Sequence, residues 1–155
     1  MTVPPWAHRA PPTRLRDSST VGRWRPVTPA GITAARRQLS VALHDGARPA
    51  GAAEGAVELL LLAFEELTSN ALRHGRLPIE VAVTHLGPCW LLEVSDGAAD
   101  RPPAPAVGRD PASGGLGLPL VATICADHGW TVAGDRKVVW ATMDFTREEP
   151  PHPRR

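Results

Sequence analysis

The sequence of 155 residues lacks the features that mark several classes of protein. Its 2 cysteines, Cys89 and Cys125, are too few for a disulfide framework or a cysteine-rich zinc site, so both are expected to be small buried residues. No apolar run approaches the roughly 18 residues that span a bilayer, since the longest covers residues 59–64. The formal net charge of +1 argues against nucleic acid as the main partner.

The N-terminal residues 1–16 combine proline with arginine and contain no apolar stretch of the kind that a signal peptide needs. The expected location is therefore the cytoplasm, with no membrane association. A solubilising role is favoured for these arginines, and a weak contact with nucleic acid or an acidic partner stays open as the alternative.

Proline and glycine, in contrast, are abundant, with 17 and 14 residues respectively. The prolines cluster near both ends of the chain and between residues 102 and 111. This composition predicts a disordered Pro/Arg-rich arm over residues 1–20 and a flexible tail over residues 147–155. A single compact domain is predicted between them, over residues 21–146.

Hydrophobic periodicity predicts an alternation of helices and strand pairs. The predicted helices cover residues 30–44, 52–74 and 117–126, and the predicted strands cover residues 24–27, 79–84, 90–94, 130–133 and 138–145. Residues 98–114 form a loop whose length is usual for functional or disordered segments. Antiparallel strand pairs with helices on one face indicate an α+β two-layer sandwich with a mixed or antiparallel sheet.

The second predicted helix carries the first candidate site on its polar side. Glu66 and Asn70 are four residues apart, which places them on one face, one turn from each other. Leu60, Phe64 and Leu67 lie on the opposite, apolar face. An ordinary solvated face is one interpretation, but asparagine is a poor choice inside a helix of strong helix formers, which favours a functional face.

Two further motifs follow along the chain. Asp96-Gly97 ends a predicted strand, where an aspartate commonly starts a turn; the functional alternative is a carboxylate that accepts a hydrogen bond from an amino group. Residues 113–120 read SGGLGLPL, and glycines before a helix N-terminus let backbone N–H groups approach a phosphate. Each motif alone is weak, and their order along the chain is more informative.

In this order, the motifs resemble those of one known superfamily. Residues 65–75, EELTSNALRHG, resemble the N box of the GHKL ATPases. They are most similar to the anti-sigma-factor serine kinases, the histidine-kinase-like ATP-binding domains abundant in actinobacteria. Asp96-Gly97 resembles the G1 box of that superfamily, and residues 115–118 resemble its G2 box. The resemblance extends over residues 21–146.

The resemblance implies an ATP- and Mg²⁺-dependent protein serine kinase with its nucleotide site between helices and sheet. Glu66 would be the general base toward a serine hydroxyl, Asn70 would give its side-chain carbonyl to Mg²⁺, and Asp96 would accept the adenine amino group. Residues 98–114 would form a short Pro/Gly-rich lid. The implied ATP-binding residues are Asn70, His74, Asp96, Gly97, Gly115, Leu116, Gly117 and Leu118.

The resemblance also implies two protein partners, an anti-anti-sigma protein phosphorylated on serine and a sigma factor that is sequestered. Homodimerisation is open. Two positions depart from the family pattern: Ala98 stands where glycine is usual, and Val138 stands where many relatives carry a nucleotide-holding threonine. These departures favour an alternative function, a catalytically weak or inactive nucleotide-binding module that regulates a partner by binding.

Overall fold

The computed structural model describes residues 6–13, 18–45, 51–103 and 117–145. These residues form β1 (Ser19–Trp24), α1 (Pro29–His44), α2 (Glu54–His74), β2 (Glu80–His85), β3 (Cys89–Asp96), α3 (Gly117–Ile124), β4 (Asp127–Ala133) and β5 (Arg136–Asp144). The strands build a five-stranded sheet in the order β1-β2-β3-β5-β4, and every neighbouring pair is antiparallel. The predicted α+β fold is confirmed.

Four of the five strands form two hairpins, which lie side by side in the sheet, and β1 adds to the edge of the first. β2 pairs with β3, and β4 pairs with β5 across a turn at Gly134, whose φ of +63° favours glycine. Both hairpins follow from the alternation of apolar residues in the sequence. The pairing of β3 with β5 joins them, and it sets Asp96 opposite Lys137.

Helix α1 begins at a capped end and buries one stripe. The Thr28 side chain accepts a hydrogen bond from the Gly31 N–H at 3.0 Å, and Pro29 occupies the first turn, where its missing N–H costs nothing. Its buried residues have the spacing expected of an amphipathic helix, and they are Ile32, Ala35, Leu39 and Leu43.

Helix α2 is the central support of the domain, because it contacts both neighbouring helices and the two central strands. Leu60 and Phe64 are fully buried, and Leu67 is 2% exposed, as predicted for the apolar face. The inward residues of the strands, such as Val83, Leu92 and Ala141, complete the same core. In the described part of the chain, no helix is long and apolar enough to cross a membrane.

The first strand differs from its prediction. β1 ends at Trp24, whereas the predicted strand begins there, so its predicted bounds are wrong. The strand continues backwards past a bulge between Thr20 and Gly22 and pairs with β2 as an edge of the sheet. The Trp24 indole lies edge-on to Phe64 at a centroid distance of 5.3 Å, which anchors this strand to α2.

Part of the predicted disordered arm packs against the domain. The Arg9 N–H donates to the Trp130 carbonyl at 2.9 Å, and the Trp130 N–H donates to the Ala7 carbonyl at 3.0 Å. Arg9 also forms a two-point ion pair with Asp127, at 2.7 and 3.1 Å, and Trp6 is 5% exposed. These residues cover the open edge of β4, a contact that composition does not reveal.

Candidate functional site

A cavity of about 320 Å³ lies between the C-terminal half of α2 and strands β3 and β5. Asn70 and His74 line it from the helix, and Asp96 lines it from the end of β3. The volume is at the lower end of the range of small-molecule sites, roughly 300–1,000 Å³. Three of the predicted nucleotide-binding residues are thus brought together in one cavity.

Asp96 is buried under the end of α2, with its side chain 1% exposed. Its Oδ1 accepts a hydrogen bond from the Ala98 N–H at 2.7 Å, which closes a turn of the kind that aspartate favours. Gly75 makes this burial fit, because a Cβ at that position would stand 2.6 Å from both Asp96 Oδ2 and the Ala71 carbonyl oxygen. Gly75 is the C-cap of α2, as predicted. Its φ of −89° is one that any residue can adopt, so glycine is required here because there is no room for a Cβ.

Ala98 is fully buried, and its N–H turns back to the Asp96 carboxylate. Its methyl group is accommodated inside the protein, and Ala98 is not among the described residues that line the cavity. Gly97, next to it, donates its N–H to the Arg76 carbonyl at 2.6 Å. Gly97 therefore fixes the segment after β3 against the end of α2, and its place in the structure is beside the cavity.

Lys137 is a cavity residue that the sequence did not reveal. It stands opposite Asp96 in the β3–β5 pairing, its side chain is 5% exposed, and its Nζ lies 3.5 Å from Asp96 Oδ2. The residue facing Asp96 from the last strand is therefore Lys137, whereas Val138 pairs with Ser95. Strand alternation turns Val138 to the other face of the sheet, beside Glu93 and Ser95. The available signal in the sequence was that Lys137 is its only lysine, which marks the position as unusual.

Asn70 presents its side chain to the cavity without a competing partner. No hydrogen bond to its amide is seen among the described residues, and amide oxygens are suitable ligands for Mg²⁺. In the described ranges there is also no cluster of three His, Cys, Asp or Glu side chains that could hold a metal ion. A metal in this cavity would therefore take most of its ligands from phosphate and water, which suits Mg²⁺.

Glu66 lies on α2, one turn before Asn70. Its carboxylate is close to Gly117, the first residue of α3. A Cβ added to Gly117 would be 3.1 Å from Glu66 Oε2, so this glycine lets the carboxylate approach α3 closely. Burial raises the pKa of Glu66, the charge of Glu65 raises it further, and Arg73 opposes the shift. Glu66 itself is outside the set of described residues that line the cavity.

The remaining predicted residues belong to the glycine-rich segment and the lid. Gly117 starts α3, and the Leu118 side chain is 2% exposed within the core, so it supports the helix by packing. Gly115 and Leu116 lie outside the described residues. Of the predicted lid, residues 98–103 are described, and Arg101, Pro102 and Pro103 line the cavity.

Comparison with known proteins identifies the family of the chain. The family model of the histidine kinase-like ATPase domain matches residues 26–143, which include all the described helices and strands β2 to β5 except the last residue of β5. None of the curated proteins matches the chain. The family match covers most of the sequence and indicates ATP binding. The chain therefore belongs to the histidine kinase-like ATPase domain family.

Proposed function

We propose that this protein is an ATP- and Mg²⁺-dependent serine kinase of the anti-sigma-factor type. The observation that carries the proposal is the meeting of Asn70 and Asp96 in one cavity, with the carboxylate of Glu66 one helical turn away. An amide oxygen, a buried acceptor and a carboxylate of raised pKa are the groups that a phosphoryl transfer to a hydroxyl needs.

The nucleotide is held from two sides in this proposal. Asp96 accepts a hydrogen bond from the amino group of adenine, at the part of the cavity where its carboxylate is buried. Asn70 would hold Mg²⁺ through its amide oxygen, and the ion would neutralise phosphate charge. Arg73 and Arg101, which line the cavity, add positive charge for the phosphates.

Glu66 acts on the protein substrate. Its carboxylate takes the proton of a serine hydroxyl while the serine oxygen bonds to the terminal phosphorus and the bond to the ADP oxygen breaks. Burial supports this role, because a raised pKa makes the carboxylate a stronger base than a solvated glutamate. The proposed acceptor is a serine of an anti-anti-sigma protein, and the proposed second partner is a sigma factor, sequestered by binding.

Nucleotide binding is tested by calorimetric titration of the full chain with ATP in the presence and absence of Mg²⁺. Asn70→Ala should lower the affinity for Mg-ATP strongly and remove its dependence on Mg²⁺. Ser69→Ala is the matched control, since it changes the adjacent residue of α2, which does not line the cavity among the described residues. Absence of binding at millimolar ATP would refute the proposal.

Phosphoryl transfer is tested with labelled ATP and an anti-anti-sigma protein that carries a candidate serine. Glu66→Ala should keep ATP binding and lose transfer by roughly 10²–10⁴-fold, the usual contribution of a general base. Glu65→Ala, at the exposed neighbouring position, removes a charge that raises the Glu66 pKa but leaves the Glu66 carboxylate in place, so it should keep ATP binding and most of the transfer rate. Equal transfer by the Glu66→Ala and Glu65→Ala proteins would show that Glu66 is not the base.

A second function, a nucleotide-binding module without catalysis, is favoured by one observation. The Glu66 carboxylate lies beside Gly117 rather than in the lining of the cavity formed by described residues. On this alternative, the protein regulates its partner by binding alone. Glu66→Ala would then leave partner binding, ATP binding and regulation unchanged, and no phosphoserine would form.

A further inference from the structure

Lys137 carries a feature that the proposed kinase chemistry does not use. It is a buried cation with three N–H donors, and its side chain is 5% exposed. Among the described residues its one polar partner is Asp96, at 3.5 Å, whereas charge-assisted N–H···O bonds are usually about 2.7–2.9 Å. The ammonium lines the cavity and retains donors for a ligand.

The Asp96–Lys137 pair combines a fixed acceptor with a fixed donor. Asp96 Oδ1 already receives the Ala98 N–H, and the other carboxylate oxygen lies toward Lys137 and Gly75. A hydroxyl side chain opposite Asp96 could donate or accept, but an ammonium can only donate. The two side chains therefore present one defined pattern to any nucleobase in this cavity.

That pattern matches the edge of adenine and opposes the edge of guanine. Adenine offers an amino donor at C6 beside the acceptor nitrogen N1. Guanine and hypoxanthine offer the reverse, an acceptor oxygen at C6 beside an N1–H donor. When the C6 substituent of the purine lies at Asp96, the Lys137 ammonium faces N1. In adenine, N1 accepts a hydrogen bond from Lys137. In guanine, the N1–H and the ammonium are both donors and cannot pair.

The geometry points to Lys137 as the residue that selects adenine, by donating a hydrogen bond to N1 and rejecting purines that carry a proton there. This inference rests on the proposed nucleotide site and adds its base specificity. It assigns the buried lysine a direct contact with the substrate. It also predicts that Lys137 adds to the discrimination against GTP and ITP that Asp96 provides.

The decisive experiment uses the unmodified full chain and needs no variant. ATP, 1-deaza-ATP and ITP are titrated by calorimetry under the same conditions. Loss of a hydrogen bond to a charged donor should weaken 1-deaza-ATP by roughly tenfold to 150-fold relative to ATP. ITP should be weakened further, because it also places an oxygen against Asp96.

Each outcome has a distinct meaning. If ATP binds and 1-deaza-ATP binds equally well, the role of Lys137 is overturned while the nucleotide site stands. If none of the three nucleotides binds, the proposed function fails. A tenfold or greater preference for ATP over 1-deaza-ATP supports the inference.

Two variants locate the effect at Lys137. Lys137→Gln keeps an N–H donor but can turn its carbonyl toward N1–H, so discrimination against ITP should fall at least tenfold while ATP still binds. Val138→Thr is the matched control on the opposite face of the same strand and should leave all the ratios unchanged. Unchanged ITP discrimination in folded Lys137→Gln protein would overturn the inference.

Discussion

Gly75 ends α2 directly beside the buried carboxylate of Asp96. A methyl group there would stand 2.6 Å from the Ala71 carbonyl oxygen and 2.6 Å from both Cγ and Oδ2 of Asp96. The Ala71 oxygen belongs to the backbone, and the Asp96 carboxylate is held by the Ala98 N–H at 2.7 Å. Because Asp96 is buried and tied to Lys137, Gly75→Ala must move the helix end, the carboxylate, or both.

The cost can be set from overpacking of well-packed interiors, typically about 1–3 kcal/mol. Three contacts at 2.6 Å place Gly75→Ala in the upper part of that range, at about 2 kcal/mol or more. For a chain of this size, 2 kcal/mol corresponds to a fall in Tm of roughly 4–8 °C. ATP affinity should fall with it, because Asp96 is displaced.

Gly31→Ala is the matched control. Gly31 lies in the first turn of α1, where an added Cβ would meet Thr28 Oγ1 at 3.4 Å and Pro26 Cβ at 3.5 Å, which are ordinary contacts. Alanine is favoured over glycine in helices by about 0.8–1.0 kcal/mol, so this variant should be neutral or stabilising. Thermal unfolding of both variants, followed by tryptophan fluorescence, and an ATP titration measure the difference. A Gly75→Ala protein as stable as Gly31→Ala, with unchanged ATP affinity, would refute the reasoning.

Three further predictions concern the cap of α1, the N-terminal segment and the proposed base. Thr28→Ala removes the bond to the Gly31 N–H and should cost about 1 kcal/mol in urea unfolding, whereas Thr28→Ser should cost little. Trp6→Ala should destabilise by about 3 kcal/mol because the side chain is 5% exposed; a change below about 0.5 kcal/mol would contradict its packing on the domain. Glu66 acts as a base only as the carboxylate, and burial raises its pKa above 4.5, the ordinary value for glutamate. In a profile of transfer rate against pH, the rate should therefore fall on the acidic side with a midpoint above pH 4.5. A midpoint at or below that value would argue against Glu66 as the base.

The sequence was sufficient for those features that depend on local periodicity. The apolar stripe of α2 predicts which side of the helix enters the core, and therefore places Glu66 and Asn70 away from it. Alternation along the strands predicts both hairpins, and the family resemblance carried by residues 65–75 predicts an ATPase-type domain, which the family match confirms. The predicted roles of the individual site residues remain predictions.

Packing of the N-terminal segment could not be predicted from composition. Proline and arginine are typical of disordered ends, and the contacts that order Trp6 and Arg9 come from β4, more than a hundred residues later. The same limit affected β1, whose bounds depend on its pairing with β2 and on the packing of Trp24 against α2. Long-range contacts override local preference in both segments.

The sequence by itself determined the helices, the two hairpins and the motif residues Glu66, Asn70 and Asp96, because periods of 3.6 and 2 are local properties of the chain. The tertiary structure alone decided that Lys137 faces Asp96 and that Gly75 is needed for space. Both depend on the register of β3 against β5 and on how closely α2 approaches β3. A shift of one residue in a strand turns a side chain to the opposite face, so that register decides whether Lys137 or Val138 enters the cavity.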